Sequence, residues 1–438
     1  MFRSRSTVWK KGARKAAILL FWIIVWYLLA LWVDNSILLV TPWEMVKRLG
    51  ELVVEVEFWQ TISISLLRIG SGFLLGFVSA LLLAAISLRH ALIEELLQPM
   101  MTLMKTVPVA SFVVLLLIWW GASVLAVAIG FLVVLPNIYI NTLEGLKAAD
   151  VRLLEMAKVF RISVANRFFY IYRPTLKPFL ISGMKLSMGM CWKSGVAAEV
   201  IGTPAYSIGG ALYLSKNHLD TAGVLAWTVV VIMLSIMFEK VILYLAEKFF
   251  AWIPTREMQR QHCKKNTARL ELKHLTKSYG EQVVLSDVSA VYEGGKIYYL
   301  TSPSGSGKTT LLRLLCGLEK PDSGKIDKPE KFSMVFQENR LCEEYTAVQN
   351  VALATGDASR AAESLQKLLE AEALSKPCNQ LSGGMKRRVA LVRAMEAESD
   401  VVLLDEPFTG MDAETKRAAE EYIRERQNGR IVIIATHI

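Results

Sequence analysis

Long apolar runs crowd the first 250 residues and give way, after about residue 264, to short apolar stretches that alternate with polar, helix-patterned ones. The runs at 16–33, 61–87, 103–120, 122–142, 178–200 and 222–247 each approach the length of a bilayer-crossing helix, which predicts six spans. Little more than Gly121 separates the third run from the fourth, so the pair can also be read as one long segment, which changes the parity. Beyond residue 264 the pattern predicts strands at 268–273, 296–301, 332–336, 400–404 and 430–435 with helices between them, an α/β arrangement. The stretch AWIPTREMQRQHCKKNT at 251–267 is polar, basic and carries a proline. The expected organisation is an all-α membrane domain at 1–250 with six transmembrane helices, a linker at 251–267 and an α/β domain at 268–438.

Charge supports the parity. Arg3, Arg5, Lys10, Lys11, Arg14 and Lys15 precede the first run without an acid, and the 143–177 loop carries Lys147, Arg152, Lys158, Arg161, Arg167, Arg173 and Lys177. Both segments are expected on the cytoplasmic side. The 34–60 segment sets Asp34, Glu44, Glu51, Glu55 and Glu57 against Lys47 and Arg48, which suits the outside. Six crossings from the inside return the chain to the inside at residue 248. The net charge of +10 gathers beside these runs, and no base-stacking or basic-helix module accompanies it, so nucleic acid is not an expected partner. The N-terminal run is basic and then apolar, as in a signal peptide. It is longer than an h-region and no small-x-small site follows, so a retained span is expected. Cys191, Cys263, Cys316, Cys342 and Cys378 have no metal-ligand spacing and fit a reducing compartment.

Ionisable residues inside apolar runs are costly and tend to mark function. Arg68 and Glu199 lie near run ends, where snorkelling is the plain alternative. Lys185 and Lys193 lie roughly two turns apart on one helix face, an arrangement suited to an anionic solute, or simply to an interface.

The strongest chemical signal is YYLTSPSGSGKTTLLRLL at 298–315, a strand running through a glycine-rich loop into a helix. Glycines let backbone amides turn toward phosphates, and the helix start adds positive potential. Ser304, Gly305, Ser306, Gly307, Lys308, Thr309 and Thr310 are the expected phosphate-binding residues, Lys308 between the β- and γ-phosphates and Thr309 on Mg2+. Ser302 stands where the motif has its first glycine, which costs backbone freedom and leaves room for weak turnover. In LLDEP at 403–407, Asp405 is expected to hold Mg2+, directly or through water, and Glu406 to polarise the attacking water.

Five further stretches complete a resemblance to the ABC transporter ATPases: LSGGM at 381–385, VFQEN with Gln337, KSYG with Tyr279, GMDAET with Asp412 and ATHI with His437. The resemblance implies that Ser382, Gly383 and Gly384 meet the ATP of an opposite subunit. It implies that Gln337 senses metal and coupling helix, that Tyr279 stacks on adenine, that Asp412 is the D-loop aspartate and that His437 sits near the γ-phosphate. The chain stops one residue after His437, so an exposed core edge is expected unless another chain covers it. EMAKVFRISVANRFFYIYRP at 155–174 resembles the coupling motif of bacterial ABC importers, with Glu155, Ala157, Ile171 and Pro174 at the family's spacing, Arg161 for the usual Gly and Arg173 for the usual Leu. SLLRIGSGF at 65–73, TVPVASFVVLLLIWWG at 106–121 and GMKLSMGMCWKSGVAAEVIGTP at 183–204 resemble the nitrate/sulfonate/taurine-type importers, and Met385 in the signature recurs in that group.

The resemblance implies a permease fused to an ABC ATPase that imports a small solute, with ATP and Mg2+ as cofactors. It implies as partners a second copy or a related half-transporter, a separate extracytoplasmic solute-binding protein and membrane lipid. The expected location is the bacterial cytoplasmic membrane with the ATPase inside. Two alternatives remain at this point: an ABC complex that transmits conformational change without transport, and an exporter.

Overall fold

The computed structural model describes residues 5–251, 268–303 and 305–436, with side chains from residue 13 onward. The chain divides into two compact units, one of residues 1–147 and 176–251, the other of residues 148–175 and 252–438. The 148–175 segment, which the sequence pattern groups with the membrane half, clusters with the C-terminal unit. The 252–267 stretch of the expected linker lies outside the described residues.

The first unit is helical: α1 (Arg5–Val33), α2 (Pro42–Val54), α3 (Val56–Ser87), α4 (Ala91–Thr106), α5 (Val109–Trp120) and α6 (Ala122–Lys147). After the 148–175 segment come most of α9 (Arg173–Gly202), α10 (Ile208–Asn217) and α11 (Thr221–Ala251). A capping box starts α2: the Glu44 amide donates to the Thr41 hydroxyl and the Thr41 amide to the Glu44 carboxylate. The helices α3 and α6 approach closely because Gly72 has no side chain; a Cβ there would sit 2.6 Å from the Val127 carbonyl oxygen. Glu199 is 1% exposed and accepts from Ser65 Oγ at 2.8 Å and from the Gly209 amide at 3.2 Å. It therefore does not snorkel outward; it ties α3, α9 and α10 together. Arg68 donates to the Ala205 carbonyl at 3.1 Å. Lys185 and Lys193 are both exposed on α9.

The six expected spans fall on helices that differ in length and apolar character. Among the described residues four helices are long and apolar enough to cross a bilayer, at 13–33, 56–87, 122–147 and 221–251, or five if one bent pair counts as a span. The expected 103–120 span is not one helix. It falls across α4 and α5, which meet at 101°. Pro108 forces the break, because the residue before a proline avoids the helical region, and Val107 is extended at ψ 130°. The expected 178–200 span lies within the 30-residue α9, whose Lys185, Lys193 and Glu199 lower its apolar character.

The second unit opens with α7 (Val151–Val159), α8 (Val164–Arg167) and a π turn at Phe168–Tyr172 that leads into α9. The α/β part follows: β1 (Arg269–Tyr279), β2 (Gln282–Glu293), β3 (Ile297–Thr301), α12 (Lys308–Leu315), β4 (Ser323–Asp327), β5 (Phe332–Val335), α13 (Ala347–Thr355), α14 (Ala358–Gln366), α15 (Ala371–Leu374), α16 (Gly383–Glu396), β6 (Val401–Asp405), α17 (Ala413–Glu425) and β7 (Ile431–Thr436). Parallel strands in the order β3–β7–β6–β5 form one sheet, and antiparallel β2–β1–β4 form another. Every residue of β6 is buried, as a parallel strand covered on both faces requires. Strands β2 and β4 are absent from the sequence expectation. Both are mostly exposed; β4 reads SGKID and has no apolar run, whereas the apolar residues of β2, QVVLSDVSAVYE, are broken by Ser286 and Asp287.

Candidate functional site

The turn from β3 into α12 builds the expected phosphate loop. Gly305 and Gly307 adopt φ of +82° and +86°, a region costly to residues with a Cβ. Space excludes a side chain at Gly307 as well, since a Cβ there would lie 2.9 Å from both Val284 Cγ1 and Leu285 Cδ2. Ser302 is not among the residues with positive φ, and its hydroxyl pairs with that of Ser306 at 2.8 Å. A serine is thus tolerated at the position of the missing glycine. Lys308 turns its ammonium onto the loop itself, donating to the carbonyls of Ser302 and, at 3.1 Å, Pro303. Thr309 donates from Oγ1 to Asp405 Oδ2 at 2.8 Å, so two of the three expected Mg2+ residues, Thr309 and Asp405 but not Gln337, meet at the C-terminal end of β6. Asp405 is 2% exposed, and burial pushes its carboxyl above the usual range, opposed by the Thr309 hydroxyl. A threonine hydroxyl and a carboxylate are hard oxygen donors that suit Mg2+, with phosphate oxygens and water completing its shell.

Glu406 follows at φ +48°, outside the helix and strand regions, with its amide donating to the Ala435 carbonyl of β7 at 2.9 Å. Its carboxylate accepts from the Thr409 hydroxyl at 3.4 Å. Gln337 is exposed just past β5. Ser382 caps α16, its hydroxyl accepting from the Met385 amide at 3.3 Å, and Gly383 beside it is exposed. Gly384 lies against Gly410; a Cβ would sit 2.8 Å from that carbonyl oxygen. Asp412 caps α17 through the Thr415 amide at 2.8 Å. Tyr279, 48% exposed, ends β1, and Thr310 opens α12 beside Thr309. Ser304 and His437 lie outside the described residues.

Arg387 of α16, which the motifs did not single out, is 3% exposed and gathers this region. It donates to the carbonyls of Phe336, Asp405, Gln337 at 3.2 Å and Glu406 at 2.7 Å. One guanidinium therefore fixes the backbone of both the Gln337 loop and the Asp405–Glu406 pair. Six residues on, Arg393 is fully buried and donates to Arg340 O at 2.8 Å and Asn339 O at 3.2 Å. The available signal was a basic residue inside the apolar run VALVRAM.

The 148–175 segment is seated on the same unit. Met156, Ala157, Val159, Ile162 and Ile171, none more than 5% exposed, join a core cluster with Leu312, Leu315 and Phe336. Glu155 accepts from Arg313 at 2.8 and 3.2 Å and from Arg340 at 2.7 Å, and these guanidiniums, Arg313 foremost, hold its carboxyl below the usual range. Arg340 also stacks 3.9 Å from the centre of the Phe336 ring. Phe160 lies under Arg393, 5.1 Å from its guanidinium carbon. At the exit, Arg173 is 3% exposed and donates to the Tyr345 hydroxyl at 3.2 Å, which donates to the Phe169 carbonyl at 2.8 Å.

Two family models match the chain: binding-protein-dependent transport system inner membrane component over residues 72–250, and ABC transporter over residues 285–409. An aliphatic sulfonates import ATP-binding protein of Nocardia farcinica is 36% identical over 170 residues, 37% of this chain and 69% of its own length. A sulfate/thiosulfate import ATP-binding protein of Rhizobium meliloti is 37% identical over 194 residues, 38% of this chain and 53% of its own. An Fe(3+) ions import ATP-binding protein of Pectobacterium atrosepticum is 38% identical over 177 residues, 36% of this chain and 50% of its own. The chain spans about half the length of these last two relatives. The chain belongs to the ABC transporter family, and it joins an importer-type permease domain and an ABC-type ATPase domain in one polypeptide. It is a multi-pass membrane protein.

Proposed function

We propose that the protein hydrolyses ATP to import a small solute, two copies assembling into the working transporter in the cytoplasmic membrane. The observation that carries the reading is the Thr309–Asp405 contact at the mouth of a loop that also holds Lys308. ATP recruits the Lys308 ammonium from the loop carbonyls to its phosphates. Thr309 and Asp405 would hold Mg2+, which would supply charge neutralisation at the β- and γ-phosphates. Glu406 polarises the attacking water, and Gln337 and His437 complete the site around the γ-phosphate. Tyr279 receives the adenine. Ser382, Gly383 and Gly384, at an exposed helix start, present amides to the ATP of the second copy.

The docked 148–175 segment favours transport over a free-standing ATPase, because it puts a permease-connected helix against α12 and β5. An anionic solute is favoured by exposed Lys185 and Lys193, which sit in an otherwise apolar run. The sulfonate- and sulfate-importing relatives agree and the iron-importing one does not. A separate binding protein delivers the solute. The test is hydrolysis by the purified chain: Glu406→Gln binds ATP and stops turnover, whereas Lys308→Ala loses affinity itself. Undiminished turnover in Glu406→Gln refutes the assignment.

A further inference from the structure

The hydroxyl of Tyr279 has a partner within the fold, although the ring is half exposed. It donates to Glu319, three residues beyond the end of the turn that closes α12 at Cys316. The other oxygen of Glu319 accepts from Arg313 Nε. Arg313 then gives Nη2 and Nη1 to the two oxygens of Glu155, at 2.8 and 3.2 Å. The side chains of Tyr279, Glu319, Arg313 and Glu155 thus form one unbroken hydrogen-bonded chain from the edge of the nucleotide site to α7. Lys277, 5.5 Å from the centre of the Tyr279 ring, is held away by Asp322 at 2.8 Å, so it does not compete for Glu319.

We propose that Glu319 is a positioning residue that couples base occupancy at Tyr279 to the seating of α7, by sharing Arg313 with Glu155. The inference rests on the ATP reading above. Its physical basis is competition: two carboxylates hold one guanidinium, Glu319 at Nε and Glu155 at the terminal nitrogens. While the Tyr279 hydroxyl occupies one oxygen of Glu319, that carboxylate keeps a single oxygen on Arg313, and both terminal nitrogens stay with Glu155. A base stacked on the Tyr279 ring fixes the hydroxyl in place and so favours the docked helix. Loss of the hydroxyl contact leaves both oxygens of Glu319 to draw Arg313 away from Glu155. Helix α12 offers a second route, because it carries Lys308 at its start and Arg313 in its last turn. The phosphates act through that route, and the base acts through Glu319.

The experiment separates the two routes with two probes, Mg-ATP and Mg-tripolyphosphate, the latter having phosphates and no base. Hydrogen exchange is read at residues 151–162 and in the phosphate loop of the full chain in nanodiscs, in a Glu406→Gln background that prevents hydrolysis. We expect ATP to slow exchange at 151–162 about fivefold or more beyond tripolyphosphate, the lower end of common coupling strengths. In Glu319→Ala that excess vanishes while ATP still protects the phosphate loop. Tyr279→Phe, which keeps the ring and removes the hydroxyl, also loses the excess. A persistent ATP excess in Glu319→Ala, or equal effects of the two probes in the parent protein, overturns the proposal and leaves the ATP reading standing. Absence of phosphate-loop protection by either probe overturns the ATP reading itself, and this inference with it.

Discussion

Replacing Ala157 by Asp tests whether the docked helix transmits anything. Ala157 is 0% exposed, in a cluster with Met156, Ile171, Leu312 and Phe336. A carboxylate there finds apolar walls, and the nearby guanidiniums of Arg313 and Arg340 are already held by Glu155. An unpaired carboxylate in such a site costs several kcal/mol, and the chain escapes that cost by undocking the helix. A penalty of about 3 kcal/mol shifts the docking equilibrium about a hundredfold. The proposed catalytic groups Lys308, Thr309, Asp405 and Glu406 lie on other elements and keep their contacts. The expected result is loss of solute uptake in cells that also make the cognate binding protein, with basal ATPase activity retained in the purified chain. Exchange at residues 151–162 quickens in parallel. Ala157→Ser, a smaller polar group able to bond a helix carbonyl, falls between the two. Normal uptake by Ala157→Asp refutes the reasoning. So does failure of cysteines placed in the 155–161 and 337–345 segments to cross-link in every nucleotide state.

Arg161 holds φ +52°, where glycine is at ease and arginine is strained, and its contacts to Glu330 are at the surface. Arg161→Gly is therefore expected to leave uptake intact and raise thermal stability by up to about 1 kcal/mol, read by calorimetry; a lowered midpoint counts against it. Arg387→Lys offers one ammonium where a planar fork holds the carbonyls of both the Gln337 loop and the Asp405–Glu406 pair, so ATPase activity falls at least about tenfold with stability lowered too. Unchanged turnover would show that the backbone needs no such brace. Glu155 has a carboxyl held below its ordinary value, so its contribution to docking is complete above pH 4.5 and is lost as the pH falls from there through the lowered value. Exchange at residues 151–162 should quicken across that acid window, and the window should disappear in Glu155→Gln.

How far the sequence could be read depended on whether a residue's role is local. The phosphate loop is local: strand, glycines, lysine and helix lie in one stretch, and Gly305 and Gly307 take the backbone angles their type permits. Asp405 and Glu406 come at the end of a wholly apolar strand, which fixes where they point. Arg387 is different, since its partners at 336, 337, 405 and 406 come from elements far apart in the chain. Nothing in the spacing of MKRRVALVRAM tells Arg387 from Arg388, and only packing separates the buried one from its neighbour. Strands β2 and β4 were hidden for a related reason: their sheet is exposed along much of its length, so hydrophobic alternation is faint. In the membrane half, apolar content revealed helices but not their breaks. Val107–Pro108 sits inside a run apolar enough to pass for one span, and α9 is long enough to span but carries too much charge for its composition to say so.

The basic residues of the 148–175 segment illustrate one charge pattern serving two purposes. In the sequence Lys158, Arg161, Arg167 and Arg173 mark a loop retained on the cytoplasmic side. In the fold most of them also bind backbone carbonyls or polar groups of the α/β part of their own unit. Lys158 donates to Gly317 O at 3.3 Å, Arg161 to Glu330 O at 2.5 Å and Arg173 to the Tyr345 hydroxyl at 3.2 Å. Arg167 instead braces the segment internally, on Ile162 O at 2.8 Å. The acid in the segment that makes the tightest contacts, Glu155, takes two arginines from the α/β part of the same unit. A carboxylate between two guanidiniums holds the helix by direction, while the basic residues around it hold by reach, and only the first fixes the register of α7. Sequence comparison of loops by net charge alone would rank these positions equally. The geometry does not: Glu155 is held by two guanidiniums and Ala157 is fully buried, so on the proposed transport reading a small substitution here is expected to separate hydrolysis from transport.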